Sequence, residues 1–168
     1  MFSRKPYPIR YLSDVMLKRL TRWLRMFGIP VVYPDTEDDD RILEEARDLG
    51  VILLTSDKEL SKKAGLKGVK TLLIISQRLD DQLIEFFIKS GERPSDPDRM
   101  LLCPVCNGEL IPMDKQLLRE KVPERVYEYQ DRFWVCNSCG KVFWKGTHYE
   151  RIKKKFNMLI QRIDQTDP

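Results

Sequence analysis

Four cysteines and a few aspartates are the residues of this chain best able to do chemistry. Cys103-Pro-Val-Cys106 and Cys136-Asn-Ser-Cys139 are two CxxC pairs, and they contain all 4 cysteines of the 168 residues. A CxxC turn aims two sulfurs at one point. Two such turns supply the four thiolates of a closed tetrahedral zinc site. With four sulfurs bound no ligand position stays open, so such a zinc is structural and has no catalytic role. Redox exchange is the alternative use of CxxC, and the presence of two matched motifs argues against it. The stretch 107–135 is longer than a minimal ribbon needs, so an insertion is expected to pack between the two knuckles.

The aspartates recur at one kind of place. Asp14 follows an apolar run of Ile9, Tyr11 and Leu12, and Asp57 closes VILLTSD. Asp38, Asp39 and Asp40 open the helical pattern RILEEARDLG. In a parallel α/β sheet the loops that leave the carboxyl ends of strands converge on one crevice. Asp14, Asp39 and Asp57 are therefore expected at a common edge. Asp39 lies three residues before Ile42 and four before Leu43, which directs it along the buried face; Asp40 and Asp38 fall to the flanks. Converging carboxylates repel one another unless a divalent cation joins them. Mg²⁺ or Mn²⁺ suits oxygen ligands and keeps waters for phosphodiester hydrolysis. The expected catalytic set is Asp14, Asp39 and Asp57, with Asp40 as a further metal ligand. The competing reading is that these residues cap helices. Ser13 or Asp14 suits one N-cap, Thr36 and the acids after it suit another, and Ser56 with Glu59 fits a capping box. Asp80 or Asp81 would be a fourth acid, though it comes several residues after the fourth apolar run.

Cations stand near both constellations. Lys18, Arg22 and Arg25 share one face of a helical pattern whose other face is Leu17, Leu20, Leu24 and Phe27. Near the C-terminus Lys141, Lys145, His148, Arg151, Lys153, Lys154 and Lys155 interleave with Phe143, Trp144 and Tyr149. Cations for phosphates and rings for bases are what single-stranded nucleic acid requires. Lys18, Arg22, Arg25, Lys145, His148 and Arg151 are the expected nucleic-acid contacts. A solvated helix face laid over core aromatics gives the same pattern, and Trp23 shares that ambiguity. His148, the only histidine, fits a helix-start or surface residue better than a general acid.

The elements that must position these residues alternate. Strand-like IRYL, IPVVY, VILLTSD and VKTLLIIS are separated by helical stretches at 14–27, 41–49 and KELSKKAGLKG, and followed by DDQLIEFFIKSG. Leu49 is expected on the inner face with Ile42, Leu43 and Ala46, and Ile88 with Leu83, Ile84 and Phe87. Such alternation implies an α/β fold with a parallel sheet covered on both sides, its strands buried on both faces. The expected organisation is an α/β domain over 9–92, a Pro- and Asp-rich linker over 93–99, and residues 100–168 as a small ribbon ending in a basic helix. Residues 1–8 read as a loose lead-in. The net charge is +4 with 33% charged and 42% hydrophobic residues, enough for a packed core under a heavily charged surface. No apolar run reaches the roughly 18 residues of a membrane span, and MFSRKPYPIR has no signal-peptide core, so a cytoplasmic protein is expected.

Together IRYLSD, the helix ending RWLRMFG, the DDDRIL helix start, LLTSD, CPVCNG and CNSCGKVFWKGTH resemble the Mut-seven C-terminal RNase family, from about Ile9 to His148. The resemblance implies a PIN-like three-layer α/β/α nuclease domain fused to a zinc ribbon. It also implies a metal-dependent ribonuclease site of Asp14, Asp39 (or Asp40) and Asp57, with Thr55 adjacent. The late acid usual in PIN nucleases has no clear counterpart here. The expected function is therefore Mg²⁺- or Mn²⁺-dependent hydrolysis of RNA, with structural zinc. The alternatives are a protein that binds RNA or a ribosome and cuts nothing, and a DNA-binding zinc-ribbon protein.

Overall fold

The computed structural model describes residues 8–166, so all but the last residue of the expected lead-in lies outside the described residues. Four short strands form a parallel sheet: β1 (Tyr11–Ser13), β2 (Val31–Val32), β3 (Ile52–Thr55) and β4 (Thr71–Leu73), in the order β2-β1-β3-β4. Leu12 pairs with Leu53 and Ser13 with Leu54. Successive residues of a strand face opposite sides of the sheet, and two cores follow. Tyr11 and Leu54 pack beneath α1 (Lys18–Met26) and α4 (Leu79–Ser90), while Leu12 and Leu53 pack beneath α2 (Asp39–Leu49) and α3 (Lys58–Leu66). This is the expected helix-sheet-helix layering. β4 departs from the reading of a strand buried on both faces. It lies at the sheet edge and is only half-buried.

The helices show why their residues form them and where the pattern misleads. α1 buries Leu20 and Leu24, and it begins at Lys18 rather than Asp14 because one 3-10 turn, Val15–Leu17, intervenes. It stops at Gly28, whose φ of +79° is open to glycine, and a Cβ there would sit 2.8 Å from Ser95 Oγ. In α2 the inner face is Ile42, Leu43 and Ala46, but Leu49 is exposed. The chain reverses at left-handed Gly50, and Val51 donates back to the Ala46 carbonyl and packs where Leu49 was expected. In α4 the buried stripe is Leu83, Phe86 and Phe87. Ile88 is exposed because a step of roughly 100° past Phe87 carries it off that stripe.

Beyond residue 91 the chain is held closely. Ser95 N–H donates to the Phe27 carbonyl at 2.8 Å, and a 3-10 turn spans Pro97–Arg99. The antiparallel strands β5 (Leu110–Met113), β6 (Phe133–Cys136) and β7 (Val142–Trp144) form a second sheet. One side of it carries Cys103, Leu110, Trp134 and Cys136. The other side is covered by the insertion, which contains α5 (Glu124–Tyr129) and packs Leu118 and Val122 on Phe133. The final helix, α6 (Thr147–Asp164), returns to the first layer. Its Leu159 and Ile163 join the core of α1 and α4, and the Phe156 ring lies 6.1 Å from that of Phe27. Among the described residues no helix is long and apolar enough to cross a membrane.

Candidate functional site

The chain leaves β1 toward β2 on one side, then crosses to β3 on the other. The reversal opens a crevice beyond the carboxyl ends of β1 and β3, where α/β sheets bind ligands. Asp14 stands at that point and is only 2% exposed. Its Oδ1 accepts from Met16 N at 2.8 Å, capping the 3-10 turn. Its Oδ2 reaches across to the neighbouring strand, accepting from the Thr55 hydroxyl and from Ser56 N at 3.2 Å. Thr55 Oγ1 in turn accepts from Asp57 N at 2.9 Å. The Thr55 hydroxyl thus ties the two strand ends together. Sequence reading placed Thr55 only as a neighbour, and the sole signal for its bridging role was its position at the tip of LLTSD. Tyr33 lies nearby and donates to the Val15 carbonyl at 2.9 Å. Burial, and then the negative fields of Asp14 and Glu37, push its hydroxyl pKa up, so it stays protonated.

The other aspartates are placed differently from one another. Asp57 is exposed and caps α3, with Oδ1 accepting from Glu59 N at 2.7 Å and Leu60 N at 3.2 Å. The cap is therefore Asp57, not the Ser56 of the expected capping box. Asp38 caps α2 through Arg41 N. Asp39 does not lie along the buried face as expected, because it is the first residue of α2 and burial begins only at Ile42; Asp39, Asp40 and Arg41 are all exposed. Asp40, the alternative ligand, pairs with Lys63 at 3.0 Å and with Lys67, whose hydrogen bonds hold its carboxyl pKa below the usual range. Asp80 pairs with Lys155 on α6, far along the chain from the crevice residues. Among the described residues the aspartates do not bring three ligand oxygens within 4.8 Å of one another; the four cysteines alone form such a group.

At the cysteines the geometry fits a metal closely. Cys106 Sγ and Cys136 Sγ are 3.4 Å apart, Cys103 Sγ and Cys139 Sγ 3.8 Å, and all four lie within 4.8 Å of one another. A tetrahedron of 2.3 Å zinc–sulfur bonds has edges of about 3.8 Å. Burial raises the Cys103 thiol pKa. Burial also raises that of Cys136, but the N–H groups of Cys139 and Ser138 outweigh it and bring that thiol down to about 7. An ion such as zinc would displace the remaining protons. Gly108 is part of this centre and was missed by sequence reading. A Cβ there would lie 2.7 Å from Cys136 Sγ and 2.6 Å from Ser138 Oγ, so only glycine fits.

Over residues 9–156, most of its length, the sequence matches the family described as the Mut7-C RNAse domain. The chain belongs to that family. No curated protein matches it. Family membership implies a nuclease-like function with RNA as the substrate.

The expected RNA contacts separate into two groups. Lys18, Arg22, His148 and Arg151 are exposed. Arg25 is 4% exposed and is withdrawn from the α1 stripe. Its Nε and Nη2 donate to the Val31 carbonyl at 2.9 and 2.7 Å, and its Nη1 donates to the Val105 carbonyl at 2.8 Å. The side chain joins α1, β2 and the first cysteine knuckle. Lys145 is likewise engaged within the protein. It pairs with Asp98 and lies over the rings of Tyr149 and Trp134 at 4.9 and 5.6 Å. Lys153 pairs with Asp96 and Asp98. Asp96 and Asp98, in the segment read as a linker, thus take up two cations of the basic tail, Lys145 and Lys153. Trp23 packs partly against the first core, with Lys155 over its ring at 5.2 Å.

Proposed function

We propose that the protein is a ribonuclease that hydrolyses RNA phosphodiesters with Mg²⁺ or Mn²⁺, working in the cytoplasm, built from a PIN-like domain and a ribbon whose two knuckles are joined by structural zinc. The observation that carries this reading is the buried carboxylate of Asp14 at the reversal point of the sheet. Two oxygens offer about four acceptor sites, and three are taken by Met16, Thr55 and Ser56. A carboxylate fixed from two strands with an acceptor site to spare suits an oxygen-seeking cation. Asp14 would hold the ion, with Asp57 and Asp39 contributed from the first turns of the adjacent helices. When bound, such an ion supplies a water of lowered pKa and stabilises charge on the phosphoryl group. The chain's own part is to orient and neutralise. Lys18 and Arg22 follow Asp14 along one helix face, where they can bear on successive phosphates of a strand crossing the crevice. The test is cleavage of end-labelled single-stranded RNA with Mn²⁺. Asp14→Asn should lower the rate roughly a hundredfold or more, a loss of several kcal/mol of transition-state stabilisation. Equal cleavage by the variant would overturn the reading.

One observation favours a second reading, an RNA- or ribosome-binding protein without catalysis. Asp14, Asp39 and Asp57 do not converge within ligand distance, and Asp57 already caps its own helix. On this reading Asp14→Asn leaves RNA affinity unchanged and the unaltered protein yields no metal-dependent product.

A further inference from the structure

A cavity of about 480 Å³ opens where α1, the segment 97–104, β7 and the start of α6 meet. That volume is in the range of small-ligand sites. Its lining is apolar, with four aromatic residues, Trp23, Phe143, Trp144 and Tyr149, among eight aliphatic or proline ones; its cations are Arg22 and Arg151, and His148 adds a ring at the rim. No aspartate or glutamate lines it. The nearby Asp98 is turned away, taken up by Tyr149, Lys145 and Lys153. Arg22 and Arg151 are exposed, so their charges face whatever enters.

Arg22 is shared with a smaller recess of about 210 Å³ that contains Lys18, Tyr33 and Lys141. Lys18 opens α1 one 3-10 turn after Asp14, and Arg22 lies four residues further along that helix, about 6 Å at 1.5 Å per residue, so the path from the crevice residues to the cavity is short. Flat π-faces, guanidinium groups and the absence of carboxylates fit a planar heteroaromatic ring that carries a phosphate. The aliphatic lining also suits an alkyl chain, but the rings and guanidinium groups add something specific only for a ring that carries a phosphate, so an alkyl phosphate is the comparison that separates the two.

We propose that this cavity receives one unpaired base of a single-stranded RNA, stacked on its aromatic walls, with the neighbouring phosphates on Arg22 and Arg151. The base site stands on the cavity alone; its role in setting the distance from a held base to the cut rests on the ribonuclease reading. Base stacking on protein rings tolerates different sequences, so such a site would favour unpaired strands over duplex rather than one sequence.

The test uses the zinc-loaded full chain without added Mg²⁺ or Mn²⁺. Trp23 and Trp144 are two of its 3 tryptophans, so fluorescence reports on the cavity. The four nucleoside 5′-monophosphates are titrated in turn, with inorganic phosphate and octyl phosphate as comparison ligands. Saturable quenching by a nucleotide is expected, weakened at least tenfold in the Arg22→Ala/Arg151→Ala double variant, whose exposed positions leave the fold intact. Asp14→Asn should bind nucleotides as the unaltered protein does. Nucleotide binding that survives in an Asp14→Asn protein of undiminished cleavage would sink the ribonuclease site and keep the base site. Loss of cleavage in Asp14→Asn without nucleotide binding would do the reverse. The proposal is overturned if no nucleotide saturates below about 10 mM, an affinity weaker than roughly 3 kcal/mol. It is also overturned by equal binding in the double variant, or by octyl phosphate binding where nucleotides do not.

Discussion

Replacing Arg25 with methionine should cost the folded protein about 3–5 kcal/mol and weaken its hold on zinc. The side chain is 4% exposed and makes three contacts of 2.7–2.9 Å to the carbonyls of Val31 and Val105. A charge-assisted hydrogen bond contributes roughly 1.5–3 kcal/mol net of desolvation, so three independent ones would sum to about 4.5–9 kcal/mol. All three bonds come from one guanidinium and two of them go to the single Val31 carbonyl, so the loss falls below that sum. Methionine keeps most of the apolar stem, so packing loss stays small. The carbonyls left behind account for the remainder. Zinc enters because four thiolates and one Zn²⁺ carry a net charge of about −2, and Cys106 and Cys103 already act electrostatically on Arg25. Urea unfolding is the assay. With m near 2 kcal/mol/M the midpoint should fall by about 1.5–2.5 M. The fall should be larger for the zinc-loaded protein than for the metal-free one, because only the loaded centre needs the compensating charge. A shift under about 0.5 M, or an equal cost with and without zinc, would refute the reasoning.

Three further outcomes are expected. Gly108→Ala should weaken zinc binding at least tenfold in a chelator competition, since its Cβ would meet Cys136 Sγ at 2.7 Å; unaltered affinity would show that the knuckle can shift. Glu85 accepts from Ile75 N and Ser76 N and pairs with Lys89; burial opposes its charge, but these bonds outweigh it and lower its pKa to about 2. A depressed folded-state pKa gives stability that is complete above the unfolded value of 4.5 and is lost as pH falls toward 2. That amounts to roughly 3 kcal/mol, so Glu85→Gln should be less stable at pH 7 and show a flatter acid profile over that window in pH-dependent unfolding. Thr55→Val removes the hydroxyl that bonds Asp14 and Asp57 N, and should cost about 1–3 kcal/mol in urea unfolding and lower Mn²⁺-dependent cleavage. Full stability with full cleavage would deny the bridge its role.

Much of the fold was legible because its signals are local. VILLTSD reads as a buried parallel strand from its own letters, and β3 is that strand. The two CxxC pairs specify their centre because the knuckle turn itself points the sulfurs, and the four sulfurs meet as expected. Leu49 and Ile88 were misread for a related reason. Helical periodicity ranks positions on a face, but the reversal at Gly50 and the angle at which α4 meets the sheet decide where that face ends.

The site was less legible. Asp14 could be singled out because a carboxylate after an apolar run marks a strand tip. Its second use, the bonds to Thr55 and Ser56, depends on a strand 41–42 residues away. Arg25 carries the same letters whether it faces RNA or holds a knuckle, and only the packing of the ribbon against α1 buries it. By itself the sequence determined the layered α/β fold, the four-cysteine centre and the place of Asp14 at a strand tip, because backbone periodicity and turn chemistry are written within a few residues. Only the tertiary structure decided which cations are free, which acids are already paired and where a base-sized cavity lies. Those depend on distances between residues far apart in the chain, and nothing local encodes them.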